Sequence, residues 1–329
     1  MPSDSSDAEA STLAPDEAFG VLGNDTRMGI LRALAEAEAK LSFSELRDRV
    51  GMRDSGQFSY HLGRLEGHFL RKGQEGYELR QAGTRVIEAV LSGAVTEAPV
   101  VERTAVDVPC FRCGAPIEVS FREERVESYC TACTGIYGEG FGGAPAGSSD
   151  GESAHGPEYG YLGGLDLPSA GIRGRTPTEV FEAAFTWTKT ESLAAACGIC
   201  PRCAAPIEES VDVCETHDTA DGPCEECGSR YAVLREWTCT NCNRWSGGPL
   251  YFKCWADTEV LAFLTARGVN PFTDVRADGV EVAYEEELRS VEPFEAAYTI
   301  TVDGDSLVVT FGGDLSVERV TADPPSGAD

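Results

Sequence analysis

The chain has 329 residues, 42% of them apolar, and a formal net charge of −28. That is length for two or three domains with enough apolar side chains to bury real cores, which excludes a wholly disordered chain. No run of 18 apolar residues occurs and the first segment, MPSDSSDAEASTLAPDEA, is acidic without basic or apolar blocks, so neither a membrane span nor a secretory leader is expected and the chain reads as cytoplasmic.

Residues 1–14 read as a disordered acidic tail. From 15 to 95 the pattern predicts three helices, a hairpin and a closing helix. Asn24 can cap a helix with Met28, Ile30, Leu31 and Leu34 on its apolar face. Ser42 and Glu45 have capping-box spacing at the start of FSELRDRVG, where Leu46 and Val50 share a face. Asp54 can cap a third helix, SGQFSYHLGRLE, with Gln57 in the reciprocal position. There Phe58, Leu62 and Leu65 must face the core, while Gln57, Tyr60, His61 and Arg64 lie opposite. FLRK and YELR, joined by Gly73 to Gly76, read as a hairpin, and a helix near Thr84 to Leu91 closes the module or serves a dimer seam. This order of elements predicts a winged helix-turn-helix. The segment is also nearly neutral, with 11 Lys plus Arg against 12 Asp plus Glu, whereas the rest of the chain holds 16 against 43.

Cysteines dominate the rest of the chain. All 13 lie after residue 100, and in a reducing compartment their spacing speaks for metal rather than disulfides. Cys110, Cys113, Cys130 and Cys133 form two CxxC knuckles around a 16-residue insert that can make a hairpin, which is zinc-ribbon spacing over 105–137. Residues 138–171 are rich in Gly, Ser and Pro and read as a linker or an irregular surface segment. In 172–196 a capping box from Thr176 to Glu179 opens a helix with an apolar stripe of Val180, Phe181, Ala184, Phe185 and Leu193, expected to be core or subunit contact. Over 197–255 the pairs Cys200/Cys203, Cys214/His217, Cys224/Cys227 and Cys239/Cys242 imply two further ions. The simplest pairing is sequential, with Cys200, Cys203, Cys214 and His217 on one zinc and Cys224, Cys227, Cys239 and Cys242 on the other. An interleaved arrangement, outer pairs on one ion and inner pairs on the other, stays open. Cys197 and Cys254 are left over and are expected to be buried thiols. Residues 256–320 offer a helix from Glu259 to Arg267 and a hairpin in AYTITVDGDSLVVTF, turning at Asp303-Gly304, and 321–329 is a tail. The fold class expected is α+β: a winged helix-turn-helix, then zinc ribbons, then a small α/β region with a hairpin.

Four-ligand sets leave no open coordination position, and no HExxH, Walker loop, GxGxxG or GxSxG is present, so an enzyme is not expected.

LGNDTRMGILRAL, FSELRDRVG, SGQFSYHLGRLEGHFL and GYELRQAG together resemble an ArsR-type winged helix regulator over about 80 residues. A Lys-poor, carboxylate-rich surface, with four lysines among 27 basic residues, resembles proteins of salt-loving archaea. The whole chain is similar to haloarchaeal regulators that join such a module to cysteine-rich ribbons, a likeness that extends into LPSAGIRGRTPTEV and CPRC. The resemblance implies a homodimer that regulates transcription on double-stranded DNA. Gln57, Ser59, Tyr60, His61 and Arg64 would approach bases in the major groove, and Arg53, Arg71 and Lys72 would contact phosphates from the turn and wing. Many such repressors sense metal through cysteines inside the module, but none precedes Cys110. Two other functions fit the same sequence: a ribbon module that docks on the transcription machinery, and a sensor whose C-terminal part binds a small ligand.

Overall fold

The computed structural model describes residues 13–138, 160–273 and 282–322. The tails read at 1–14 and 321–329 fall almost wholly outside that range. The chain divides into two compact units, Met1–Glu97 and Ala98–Asp329, and the architecture is mixed α+β.

The first unit runs α1 (Pro15–Leu22), α2 (Asp25–Ala35), α3 (Phe43–Val50), α4 (Ser55–Leu65), β1 (Leu70–Gly73), β2 (Gly76–Leu79) and α5 (Gln81–Leu91). Local chemistry sets the boundaries. The Asn24 side chain accepts from the Arg27 amide, Ser42 and Glu45 close a reciprocal capping box, and Asp54 accepts from the amides of Gly56 and Gln57. Gly51 ends α3 at φ 74, a left-handed turn that glycine enters without penalty. The apolar faces meet in one core: Ile30 and Leu31 of α2, Leu46 of α3, Phe58, Leu62 and Leu65 of α4, Leu70 of β1 and Ile87 of α5. Phe43 and Phe58 pack edge to face with centroids 5.1 Å apart. α1 is an additional helix before the capped one.

The second unit carries three antiparallel sheets. The first is β3 (Val101–Pro109), β4 (Pro116–Arg122), β5 (Arg125–Cys130) and β6 (Gly160–Asp166), in that order. A 3₁₀ turn (Ser169–Ile172) leads to α6 (Pro177–Ala196), opened by Thr176 and Glu179 as a capping box. The second sheet is β7 (Ile207–Val213), β8 (Val233–Cys239) and β9 (Trp245–Pro249). After a 3₁₀ turn (Leu250–Ala256) and α7 (Thr258–Ala266), the third sheet runs β10 (Val282–Ser290), β11 (Glu295–Val302), β12 (Asp305–Phe311) and β13 (Val317–Ala322).

Part of the glycine-rich stretch at 138–171 is therefore not a linker. Gly160 to Asp166 pairs with β5 along its length, and 139–159 lies outside the described residues. The segments separated in the sequence as ribbon, helix, double metal region and hairpin region belong to one unit. α6 joins them. Its Val180, Phe181 and Ala184 are buried against Val106, Val108 and Ile117 of the first sheet. Farther along, Lys189 directs its Nζ onto the Trp255 ring at 3.1 Å from the centroid, with Phe185 at 4.9 Å and Phe252 at 5.5 Å. The third sheet packs Tyr298, Ile300, Val309 and Phe311 onto Val260 and Leu264 of α7 and onto Leu250 and Cys254. Glu286 of β10 fastens this sheet to the second one: its carboxylate accepts from Tyr298 Oη at 2.5 Å and from the amides of Ala232 and Val233 at the start of β8.

Candidate functional site

Twelve side chains converge into three groups: Cys110, Cys113, Cys130 and Cys133 (centre 1); Cys200, Cys203, Cys239 and Cys242 (centre 2); Cys214, His217, Cys224 and Cys227 (centre 3). Within each group the candidate ligand atoms lie within 4.8 Å of one another. Each of these three groups could hold a metal ion. Four ligands at tetrahedral angles with metal–sulfur bonds of about 2.3 Å stand about 3.8 Å apart. The sulfur pairs here are 3.8 Å (Cys110–Cys133) and 3.5 Å (Cys113–Cys130), 3.7 Å (Cys200–Cys242) and 3.4 Å (Cys203–Cys239), and 3.9 Å (Cys214–Cys224). In centre 3 the other pair is Cys227 Sγ and His217 Nδ1 at 3.5 Å.

The sequential pairing expected for 197–242 is therefore overturned in favour of the interleaved one, and strand β7 is the reason. Its 7 residues, IEESVDV, separate the Cys200/Cys203 knuckle from Cys214, and an extended chain of that length covers roughly 20 Å. No single ion reaches across it. The antiparallel partner β8 instead brings Cys239 beside Ile207 and Val233 beside Val213, so the outer pairs meet at one end of the hairpin and the inner pairs at the other.

The knuckles share one backbone device. The amides of Cys110, Cys200, Cys224 and Cys239 donate to the carbonyl five residues on. The turn closes through a left-handed residue four positions after the first cysteine: Gly114, Ala204, Gly228 and Asn243. Amides also point at sulfur: those of Ala132 and Cys133 at Cys130, and those of Asn241 and Cys242 at Cys239, at 3.3 to 3.4 Å. Such donors favour the thiolate. With the amide of Cys242 the strongest influence, Cys239 is held down to about 6. Cys224 is held at about 6, the amide of Asp218 first. For Cys130 burial is the largest influence and acts upward, yet the amides of Cys133 and Ala132 bring it to about 7. Their neighbours go the other way. Burial pushes Cys110 up to about 12, and burial followed by the adjoining thiols pushes Cys214 up to about 12. Four thiolates this close repel one another, and a divalent cation is the charge that makes all of them ionise together. His217 is set as a ligand in the same sense: its Nε2 donates to the Arg230 carbonyl at 3.2 Å, which fixes the tautomer with Nδ1 free toward the sulfurs.

Of the two cysteines left over, Cys254 is fully buried as expected but Cys197 is exposed. It follows the last turn of α6, where the helix ends and the chain turns through Gly198 at φ 79, so no core element covers it.

In the first unit Arg53, Gln57, Ser59, Tyr60, Arg64, Arg71 and Lys72 are exposed. Tyr60 keeps 62% of its surface in solvent. His61 is half-buried, stacks edge-on against Tyr60 at 5.4 Å, and has a buried Nδ1 without a hydrogen-bond partner. On the hairpin, Arg71 Nε donates to Glu78 at 2.7 Å and Lys72 lies 5.6 Å from the Tyr77 ring centroid. Lys40 faces Glu75 and Glu78 at 3.5 and 3.6 Å. No described helix is long and apolar enough to cross a membrane.

Two family profiles match the chain. A domain of unknown function (DUF7347) covers residues 15–90 and another (DUF7351) covers residues 107–317. No curated protein and no solved structure matches. The second profile spans all twelve converging ligands and more than half of the chain, which therefore belongs to the DUF7351 family, here preceded by a DUF7347 domain.

Proposed function

We propose that the protein is a DNA-binding transcriptional regulator of ArsR type whose second unit is built on three structural zinc ions. One observation carries the reading: α4 is divided into a buried face of Phe58, Leu62 and Leu65 and an exposed face of Gln57, Ser59, Tyr60 and Arg64. Apart from its edge-on contact with His61, this solvent-facing aromatic among hydrogen-bonding side chains adds little to the fold. On a helix that follows a capped turn and precedes a hairpin, it is the equipment of a winged helix-turn-helix recognition helix. Gln suits adenine and Arg suits guanine in the major groove. The near-neutral charge of 15–95 supports the same assignment, because elsewhere the chain would repel a polyanion. A homodimer would present two such helices to two half-sites.

Zinc fits the donor sets. Two groups of four thiols and one of three thiols with an imidazole are tetrahedral nitrogen and sulfur sites with no open position, the structural rather than the catalytic type. Mapping DNA occupancy in the native cell, alongside gel shifts of the intact protein in high salt, tests the function. Discrete sites lost with Arg64→Ala are expected, and a chain with no enrichment anywhere rejects it.

A second reading draws on Phe111, 69% exposed inside the first knuckle, and Trp245, 56% exposed beside centre 2. Apolar side chains at ribbon tips suit a protein contact, such as one with the transcription machinery. Recovery of polymerase or basal factors undiminished by removal of 15–95 would favour it.

A further inference from the structure

Centres 1 and 3 meet through the loops that leave their last cysteines. After Cys133 the chain runs through Thr134, Gly135, Ile136, Tyr137 and Gly138, and after Cys227 through Gly228, Ser229 and Arg230. The two loops hydrogen-bond to each other: Gly138 N donates to the Gly228 carbonyl at 2.8 Å and Arg230 N to the Ile136 carbonyl at 2.9 Å, with Tyr137 and Ser229 forming a bridge. The Arg230 guanidinium then crosses into the centre 1 loop. Its Nε donates to the Gly135 carbonyl and its Nη2 to Thr134 Oγ1, both at 2.8 Å, while Nη1 reaches back to the Thr219 carbonyl at 3.3 Å. The backbone carbonyl of the same residue receives Nε2 of His217, a centre 3 ligand. One residue thus orients a ligand of one centre with its main chain and holds the turn following a ligand of the other with its side chain.

We infer that Arg230 is a positioning residue that couples metal uptake at centres 1 and 3, so that the two fill as a pair. The inference rests on the metal reading above. Without ions each loop must be ordered against its conformational entropy before its thiolates can converge. An ion at centre 3 sets His217, and with it the Arg230 carbonyl. The guanidinium is then already aimed at Gly135 and Thr134, and the Cys133 turn has less freedom left to lose when the second ion arrives. The coupling is reciprocal, since an effect of one occupancy on the other must run equally in both directions. Centre 2 provides the contrast. It lies at the opposite end of the β7–β8 hairpin, and the described hydrogen bonds and ion pairs of its knuckles reach Pro206, Glu191 and Asp166 but neither of these loops.

The test is a cobalt(II) titration of the full chain carrying Cys239→Ser and Cys242→Ser, which silences centre 2, with ion counts by native mass spectrometry. Thiolate–cobalt bands of a site with one imidazole differ from those of an all-thiolate site, so the two centres are read separately. With Arg230 present both band sets are expected to rise together, with the one-ion species scarce throughout. Arg230→Ala is expected to separate them and to weaken centre 1 by about tenfold, within the usual range of coupling between sites. Arg230→Lys, which keeps the charge but not the fork, should recover only part of the loss. A two-phase titration with Arg230 intact overturns the coupling, as does undiminished centre 1 affinity in a chain bearing Cys214→Ser and Cys224→Ser. Should silencing centre 2 unfold the protein, the distribution of one-, two- and three-ion species of the otherwise unaltered chain decides the same question: a statistical distribution overturns it. Absence of thiolate–cobalt bands from both centres rejects the metal reading itself and the coupling with it.

Discussion

Ile207 stands opposite Cys239 in the register of β7 and β8, and this pairing puts the knuckle before β7 next to the knuckle at the end of β8. Cys200 and Cys239 therefore serve the same centre although the whole β7–β8 hairpin lies between them in the chain. Replacing both by Ser should remove one ion of three from the chain, measured by native mass spectrometry, whereas replacing Cys200 and Cys214 should remove two. A loss of two ions from the first variant would restore the sequential pairing.

Glycine at 160 is a demand of centre 1. A Cβ there would stand 1.9 Å from the Cys133 carbonyl and 2.5 Å from the Gly135 amide, well inside contact distance, and neither backbone group can withdraw without moving the knuckle. Gly160→Ala is expected to impair metal retention at centre 1 while leaving the signals of centres 2 and 3 in place. Full retention of all ions in the presence of a competing chelator would contradict the close approach.

Much of the first unit was legible because its helices carry caps and apolar faces of ordinary kind. In the second unit the insert hairpin β4–β5 and the hairpin β11–β12 were legible, but other strands were hidden. In β7 the alternating residues of IEESVDV include Glu209, whose carboxylate pairs with the nearly buried Arg235 and with Lys253 at 2.6 Å, so the inward face does not read as apolar. β10 hides in the same way, since the inward position between Tyr284 and Leu288 is Glu286. β6 was masked by its glycines, which a linker and a tightly approached strand need for opposite reasons. All twelve ligands could be picked by spacing alone, but their grouping depended on knowing that β7 is extended.

Tyr298 stands opposite Glu286 in the register of β10 and β11, so its hydroxyl supports from within the third sheet the carboxylate that reaches the second. Tyr298 is fully buried, and Glu286 has its carboxyl raised above the usual range chiefly by burial, opposed by the Tyr298 and amide donors. Tyr298→Phe deletes one donor and leaves the others, so a loss of about 1–3 kcal/mol is expected in chemical denaturation. An unchanged midpoint would mean that the Tyr298 hydroxyl adds nothing to holding Glu286.

Acid should strip the centres. Cys224 and Cys239 ionise near 6 in the fold against about 9 for an ordinary thiol, with the amides of Asp218 and Cys242 respectively the first cause. A group lowered by folding stabilises the native state above its ordinary value and loses that contribution as pH falls through the folded value. A bound cation extends the thiolate form to lower pH still. Ion release followed with a chromophoric chelator is expected to begin below about pH 6 and to be accompanied by loss of ribbon structure. Complete release at pH 8 would contradict this order.

On the proposed DNA face, Arg71 is engaged by Glu78 at 2.7 Å and Lys40 lies 3.6 Å from the same carboxylate. Glu78→Gln should free Arg71 for a phosphate, tightening binding at low salt and steepening the logarithmic salt dependence by about one contact. Fluorescence anisotropy across a salt series measures it, and an unchanged slope would show that Arg71 never reaches the backbone.

The Lys189 amino group is seated on the Trp255 ring with Phe185 and Phe252 beside it, and desolvation there holds its pKa well below the ordinary lysine range. At molar electrolyte the Debye length contracts to about 3 Å, and an ion pair at the surface shares its field with dissolved ions. An amino group packed at contact range against aromatic faces admits no dissolved ion between the partners and does not depend on a full charge for its packing. α6 is thereby riveted to the Leu250–Ala256 turn by a fastening that added salt leaves in place.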